Sequence, residues 1–139
     1  MNRRNRPKGV LFICVGNSGR SQMAEAFFNR LANGKAQASS AGTKPAESID
    51  PVVVEAMREI GIDISHQKPK ALTLEMLEQA DRVVTMGCGE QGLCPATFVE
   101  TTEWNLEDPN GKPLEKVREI RDEIRSRMVD LLTEWGIDG

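Results

Sequence analysis

The chain has 139 residues, 39% of them hydrophobic and 28% charged, with a formal net charge of -3. This is the size and balance of one globular domain with its own core, not of a fibrous or low-complexity chain. The slightly acidic balance excludes a broad basic surface for nucleic acid, so any anion site must come from local geometry.

Arg3, Arg4, Arg6 and Lys8 make residues 1–8 a basic, solvated tail ahead of a single domain at 9–139. The apolar run after the tail is too short for a signal peptide, and no stretch has the length of a membrane span. A cytoplasmic monomer without membrane or nucleic-acid partners is therefore expected. Residues 9–15, short, apolar and branched, predict a buried parallel strand. From Ser21 the spacing becomes helical: Met23, Ala24, Phe27, Phe28 and Leu31 share one face, and Asn33-Gly34 ends the helix. The small polar run 36–41 predicts a weaker strand at a sheet edge.

Asp50 is a good N-cap with Pro51 at the first helical position. Val52, Val53, Ala56, Met57 and Ile60 form that helix's inner face, and Gly61 closes it. A short helix at 73–79, a buried strand at 82–86 and a fourth strand at 97–104 follow. The final helix, 114–134, carries an apolar stripe of Leu114, Val117, Ile120, Ile124, Met128, Leu131 and Trp135. Its Arg and Glu residues cover a solvated face. Alternating strands and helices predict an α/β domain around a parallel sheet, with its site at the carboxyl ends of the strands.

Between the first strand and first helix stands Cys14-Val15-Gly16-Asn17-Ser18-Gly19-Arg20, followed by Ser21. The amino end of a helix offers unpaired N–H groups and the positive end of the dipole, a place for a tetrahedral oxyanion. Gly16 and Gly19 let the backbone curl so that successive N–H groups point inward. Arg20 adds a planar, bidentate grip, and the same positive surroundings favour a Cys14 thiolate. Ser18 or Ser21 can donate a hydrogen bond to the sulfur, and Asn17 can brace the loop. No Gly-Lys-Ser/Thr follows, so this is not a nucleotide-binding Walker loop.

A leaving oxygen needs a proton, and Asp108, held extended by Pro109, is the candidate acid; Glu107 competes with it. Cys88 and Cys94 bracket a glycine-containing loop after the third strand, at the same sheet edge as Cys14. Three readings of the pair stay open: a thiol relay with Cys14, inert packing, or a zinc site with His66. No Cys-x2-Cys spacing supports zinc, and a metal would quench the nucleophile. His66 otherwise reads as a polar loop residue, and Trp104 and Trp135 as packing.

These residues make the chain resemble the thioredoxin-coupled arsenate reductases built on the low-molecular-weight protein tyrosine phosphatase fold. The resemblance is carried by residues 14–25, Ser40-Ala41-Gly42, residues 62–66, 81–86 and 88–95, Trp104, Asp108-Pro109 and residues 118–124. It implies a three-layer domain with a four-stranded parallel sheet flanked by helices. It also implies a mechanism: Cys14 attacks arsenate held by Arg20 and the loop amides, and Asp108 protonates the departing hydroxyl. Cys88 then attacks Cys14 to release arsenite, Cys94 attacks Cys88, and thioredoxin reduces the Cys88–Cys94 disulfide. No organic cofactor is implied; a potassium ion beside the loop, involving Asn17 and Glu25, is.

Two positions depart from the family pattern. Gly19 stands where many members have a further cysteine outside the relay, and the spacing from Cys88 to Cys94 is one residue shorter than in some. The runner-up reading is a tyrosine phosphatase working through a phosphocysteine on Cys14, with phosphatase activity also expected as a side reaction of the reductase. Against it, Asn110 follows Asp108-Pro109 where such phosphatases use an aromatic residue, and the chain has no tyrosine. A non-catalytic redox sensor is a third reading, which the acid at Asp108 disfavours.

Overall fold

The computed structural model describes residues 8–86 and 101–137. Val10, Leu11, Phe12 and Ile13 are buried in succession, so the strand that carries them, β1 (Lys8–Cys14), has neighbours on both faces and both edges. The other elements are α1 (Arg20–Ala32), β2 (Ala36–Gly42), α2 (Pro51–Arg58), α3 (Leu74–Gln79), β3 (Arg82–Thr85), β4 (Thr101–Glu103) and α4 (Leu114–Glu134). The four strands form one sheet in the order β2-β1-β3-β4, with every pairing parallel.

The small, polar β2 lies at an edge as expected, where one flank needs no apolar cover. Chain order reverses at β1: β2 pairs on one side and β3 on the other. The carboxyl end of β1 is therefore the switch point, and Cys14 is its last residue. Of the strand predicted at 97–104, β4 accounts for Thr101–Glu103, and residues 97–100 lie outside the described residues.

Two apolar clusters make the layers. One joins the sheet to α1, α2 and α4 through Phe12, Phe28, Met57, Val84, Ile124 and Met128. The other joins Leu11, Ile13 and Val83 to Leu77 of α3 on the opposite face. The tryptophans pack as expected: Trp104 lies 5.7 Å from Phe12 and Trp135 5.8 Å from Phe28, ring centre to ring centre.

Two expectations about helix faces change. Ile60 is 37% exposed instead of on the inner face of α2, because that helix ends at Arg58 and the chain turns outward through Gly61 at φ 82°. Ile64 fills the core below it. On α4, Arg121 is buried rather than solvated: its Nη1 donates to the Ala56 carbonyl at 2.8 Å and to Glu59 at 3.0 Å, tying α4 to the end of α2.

Candidate active site

The loop from Cys14 to Gly19 has its carbonyls turned away from the cleft, and each finds a donor. Thr43, Lys44, Ala46 and Asp50 donate their N–H groups to Cys14, Val15, Gly16 and Ser18. Gln22 Nε2 serves the Asn17 carbonyl at 3.2 Å, and the Met23 N–H serves that of Gly19 at 2.9 Å. Carbonyls held outward leave the N–H groups facing inward. Among the described residues, those of Gly16, Ser18 and Gly19 have no protein acceptor. The helix that follows has no side-chain cap at its amino end. An oxyanion in the loop would complete both sets of donors.

Cys14 sits inside this ring, with its Sγ accepting the Asn17 N–H at 3.2 Å and lying 2.8 Å from Ser21 Oγ. The polarity of the second contact follows from its neighbours. The Lys70 N–H donates to Asn17 Oδ1 at 2.8 Å, which makes that atom the acceptor and turns Nδ2 toward Ser21. Asn17 Nδ2 donates to Ser21 Oγ at 2.7 Å, so the serine hydroxyl hydrogen is left for the sulfur. The sulfur thus receives two hydrogen bonds, one from the Asn17 N–H and one from the Ser21 hydroxyl, which fix its position inside the ring. Of the two serines weighed for this contact, Ser21 makes it. Asn17 braces the loop from a left-handed backbone (φ 51°), a conformation asparagine tolerates better than most residues.

The guanidinium of Arg20 is buried beneath the cleft. Its Nη1 donates to the Leu106 carbonyl at 3.0 Å, and its Nη2 lies 3.9 Å from Asp108 Oδ2. The Asp108 side chain is 61% exposed, and its Oδ1 accepts the Asn110 N–H at 3.0 Å, which orients the carboxyl. Glu107 points elsewhere: Lys116 at 3.3 Å and Lys112 at 3.4 Å pair with it and hold its carboxyl below the usual range. A carboxyl so held is a poor proton donor, and Glu107 is not among the cleft-lining residues.

Gly19 has a steric reason. A Cβ there would meet Pro109 Cγ at 2.7 Å, so a larger residue would push the Asp108 loop off the anion loop. The cleft, about 390 Å³, is lined by the anion loop, Ala46, Ser48, Ile49, Asp50, Pro51, Asp108 and Asn110. None of these is aromatic.

Sequence reasoning missed the second layer. Gln22, fully buried at the start of α1, and the Lys70 backbone hold Asn17. Gly42 matters as much: a Cβ there would meet Val15 O at 2.7 Å and Asn17 Cβ at 3.0 Å. Its N–H and carbonyl are fixed to Lys70 and Leu72, so it cannot retreat. Gly42→Ala should cost about 1–3 kcal/mol of stability by overpacking and about 10²-fold in turnover by displacing the loop. Thermal melts and turnover at saturating substrate check this, and wild-type values in both would contradict the contact. The signal in the sequence was a glycine ending a strand beside the anion loop, read there only as part of a motif.

Cys88 and Cys94 lie outside the described residues. His66 is exposed on a loop, with Arg58 and Lys68, along a groove that shares Ser48, Ile49 and Pro51 with the cleft. The structure thus brings together Cys14, the loop amides, Arg20 and Asp108, and leaves His66 outside the cleft lining.

Residues 9–138 match the family model described as low molecular weight phosphotyrosine protein phosphatase. A putative arsenate reductase from Halobacterium salinarum is 42% identical over 132 residues, covering 91% of this chain and 92% of that protein. A thioredoxin-dependent arsenate reductase from Corynebacterium glutamicum superposes with a TM-score of 0.81 at 38% identity. That match covers 94% of this chain and 62% of the other. An arginine phosphatase from Geobacillus stearothermophilus superposes with a TM-score of 0.83 at 26% identity, over 94% of each chain.

Proposed function

This chain belongs to the low molecular weight phosphotyrosine protein phosphatase family, and we propose that within it the chain reduces arsenate to arsenite. The observation that carries the choice is the cleft itself. Its loop N–H groups face inward, two hydrogen bonds hold the Cys14 sulfur and the Asp108 carboxyl lies at its rim, but no aromatic wall stands among the described residues to stack a phosphotyrosine ring. Asn110 stands at the position where a stacking residue is expected. Similarity to proteins named arsenate reductase, one of them thioredoxin-dependent, supports the same choice.

In the proposed reaction the Cys14 thiolate attacks arsenic(V), held by the loop N–H groups and Arg20. An As–O bond breaks, and Asp108 gives its proton to the departing hydroxide, so that water leaves. The Cys88 thiol then attacks Cys14 sulfur. An S–S bond forms, and the electron pair of the S–As bond stays on arsenic, which departs as arsenite, arsenic(III). Cys94 attacks Cys88 and frees Cys14, and thioredoxin reduces the Cys88–Cys94 disulfide. The protein acts as a cytoplasmic monomer in this reading.

Phosphate fits the same cradle, so slow phosphatase turnover through a phosphocysteine on Cys14 should accompany the reductase. The two chemistries part at the second thiol. Arsenate, and not phosphate, should convert reduced protein into a form with a disulfide between Cys88 and Cys94; three free thiols in both would favour the phosphatase.

A further inference from the structure

We infer that the Lys70 ammonium is a built-in monovalent cation for the anion loop, standing where a free potassium ion was expected. The inference rests on Cys14 as the reactive thiol of that loop, and it concerns a positioning residue, since Lys70 is not among the cleft-lining residues.

The expected potassium donors do not fit an added ion. Asn17 Oδ1 already accepts the Lys70 N–H at 2.8 Å and Gln22 Nε2 at 3.0 Å, which occupies both of its lone pairs. Glu25 Oε1 accepts the Ser40 hydroxyl at 2.7 Å, and Lys70 Nζ lies 3.5 Å from both oxygens. A second cation beside Glu25 would meet that ammonium.

The placement explains what the charge is for. Glu25 lies one helical turn beyond Ser21 on α1, so the carboxylate stands behind the hydroxyl that holds the Cys14 sulfur. The Glu25 side chain is only 16% exposed, so water screens it incompletely. Left bare, its charge would oppose both the thiolate and an incoming oxyanion. Lys70 neutralises it from a backbone pinned at two points: its N–H on Asn17 and its carbonyl on the Gly42 N–H at 2.7 Å. A tethered ammonium is present at every concentration of salt.

The test compares potassium chloride with choline chloride at equal ionic strength. It reads the rate of Cys14 alkylation by iodoacetamide, resolved from the other cysteines by peptide mass spectrometry. No arsenate is involved, so failure of the reductase reading would leave this result standing. Wild-type protein should alkylate at the same rate in both salts. Lys70→Ala should be slower in choline, about fivefold for a partly exposed charge contact, and potassium, now able to pair with the bared Glu25 carboxylate although Asn17 Oδ1 stays occupied, should restore part of the rate. Lys70→Arg should stay close to wild type. A wild-type rate that rises with potassium would overturn the proposal. So would an alanine variant equal to wild type in both salts, or an arginine variant as slow as the alanine one. Should the alanine variant not fold, the wild-type salt comparison and the arginine variant still decide.

Discussion

Cys14→Ser should reduce arsenate production of arsenite by at least about 10⁴-fold, the scale on which loss of an enzyme's nucleophile acts. The hydroxyl is a far poorer nucleophile than a thiolate and cannot form the disulfide that carries electrons to arsenic. The pocket should survive the change. A serine oxygen can accept the same two hydrogen bonds, from the Asn17 N–H and the Ser21 hydroxyl, and the loop carbonyls keep their donors. Phosphate or arsenate binding by calorimetry should therefore stay within about tenfold of wild type, since hydrogen-bond strengths near 1 kcal/mol set the scale of the change. Arsenite formed by the variant at a wild-type rate, measured by speciation chromatography, would remove Cys14 from the reaction.

Asp108→Asn should lower kcat by about 10²–10⁴-fold, the range attributed to a positioned general acid. Its stability should stay within about 0.5 kcal/mol, because the side chain is largely exposed. Asparagine keeps an oxygen for the Asn110 N–H, so the loop holds its turn while the transferable proton is lost. Glu107→Gln is the paired control. Its carboxyl is held ionised by Lys116 and Lys112 and lines no part of the cleft, so turnover should change little. A larger loss in Glu107→Gln than in Asp108→Asn would exchange the two assignments.

Much of the fold was legible because its signals are local. The continuous apolar run of β1, the helical spacing after Ser21, the Asp50-Pro51 start of α2 and the stripe of α4 each follow from short-range patterning. Ile60 was misread because periodicity continues past the point where the chain leaves the helix, and nothing in the pattern marks Arg58 as its last residue. Arg121 was misread because charge alone predicts solvent, whereas the Ala56 carbonyl and Glu59 supply a buried partner from another element.

The site divides in the same way. Cys14, Arg20 and the loop glycines were readable from one contiguous motif, and Asp108 from the proline after it. The hands that hold them were not. Gly42, Gln22 and Lys70 act through contacts between residues 5 to 53 positions apart in the chain, such as Lys70 with Asn17. Only the packing of β2 and the loop after α2 against the anion loop reveals them. The meaning of Gly19 emerged the same way, from the proline ring that occupies its side-chain space.

The most direct measurement asks whether arsenate moves electrons between the cysteines. Fully reduced protein would be mixed anaerobically with arsenate, quenched with an alkylating reagent and mapped for disulfides by mass spectrometry, with a parallel sample in phosphate. The account predicts a Cys88–Cys94 disulfide in the arsenate sample, together with stoichiometric arsenite, and three alkylated thiols in phosphate. Three alkylated thiols in both samples would contradict the thiol relay and leave the phosphocysteine phosphatase as the reading of this site.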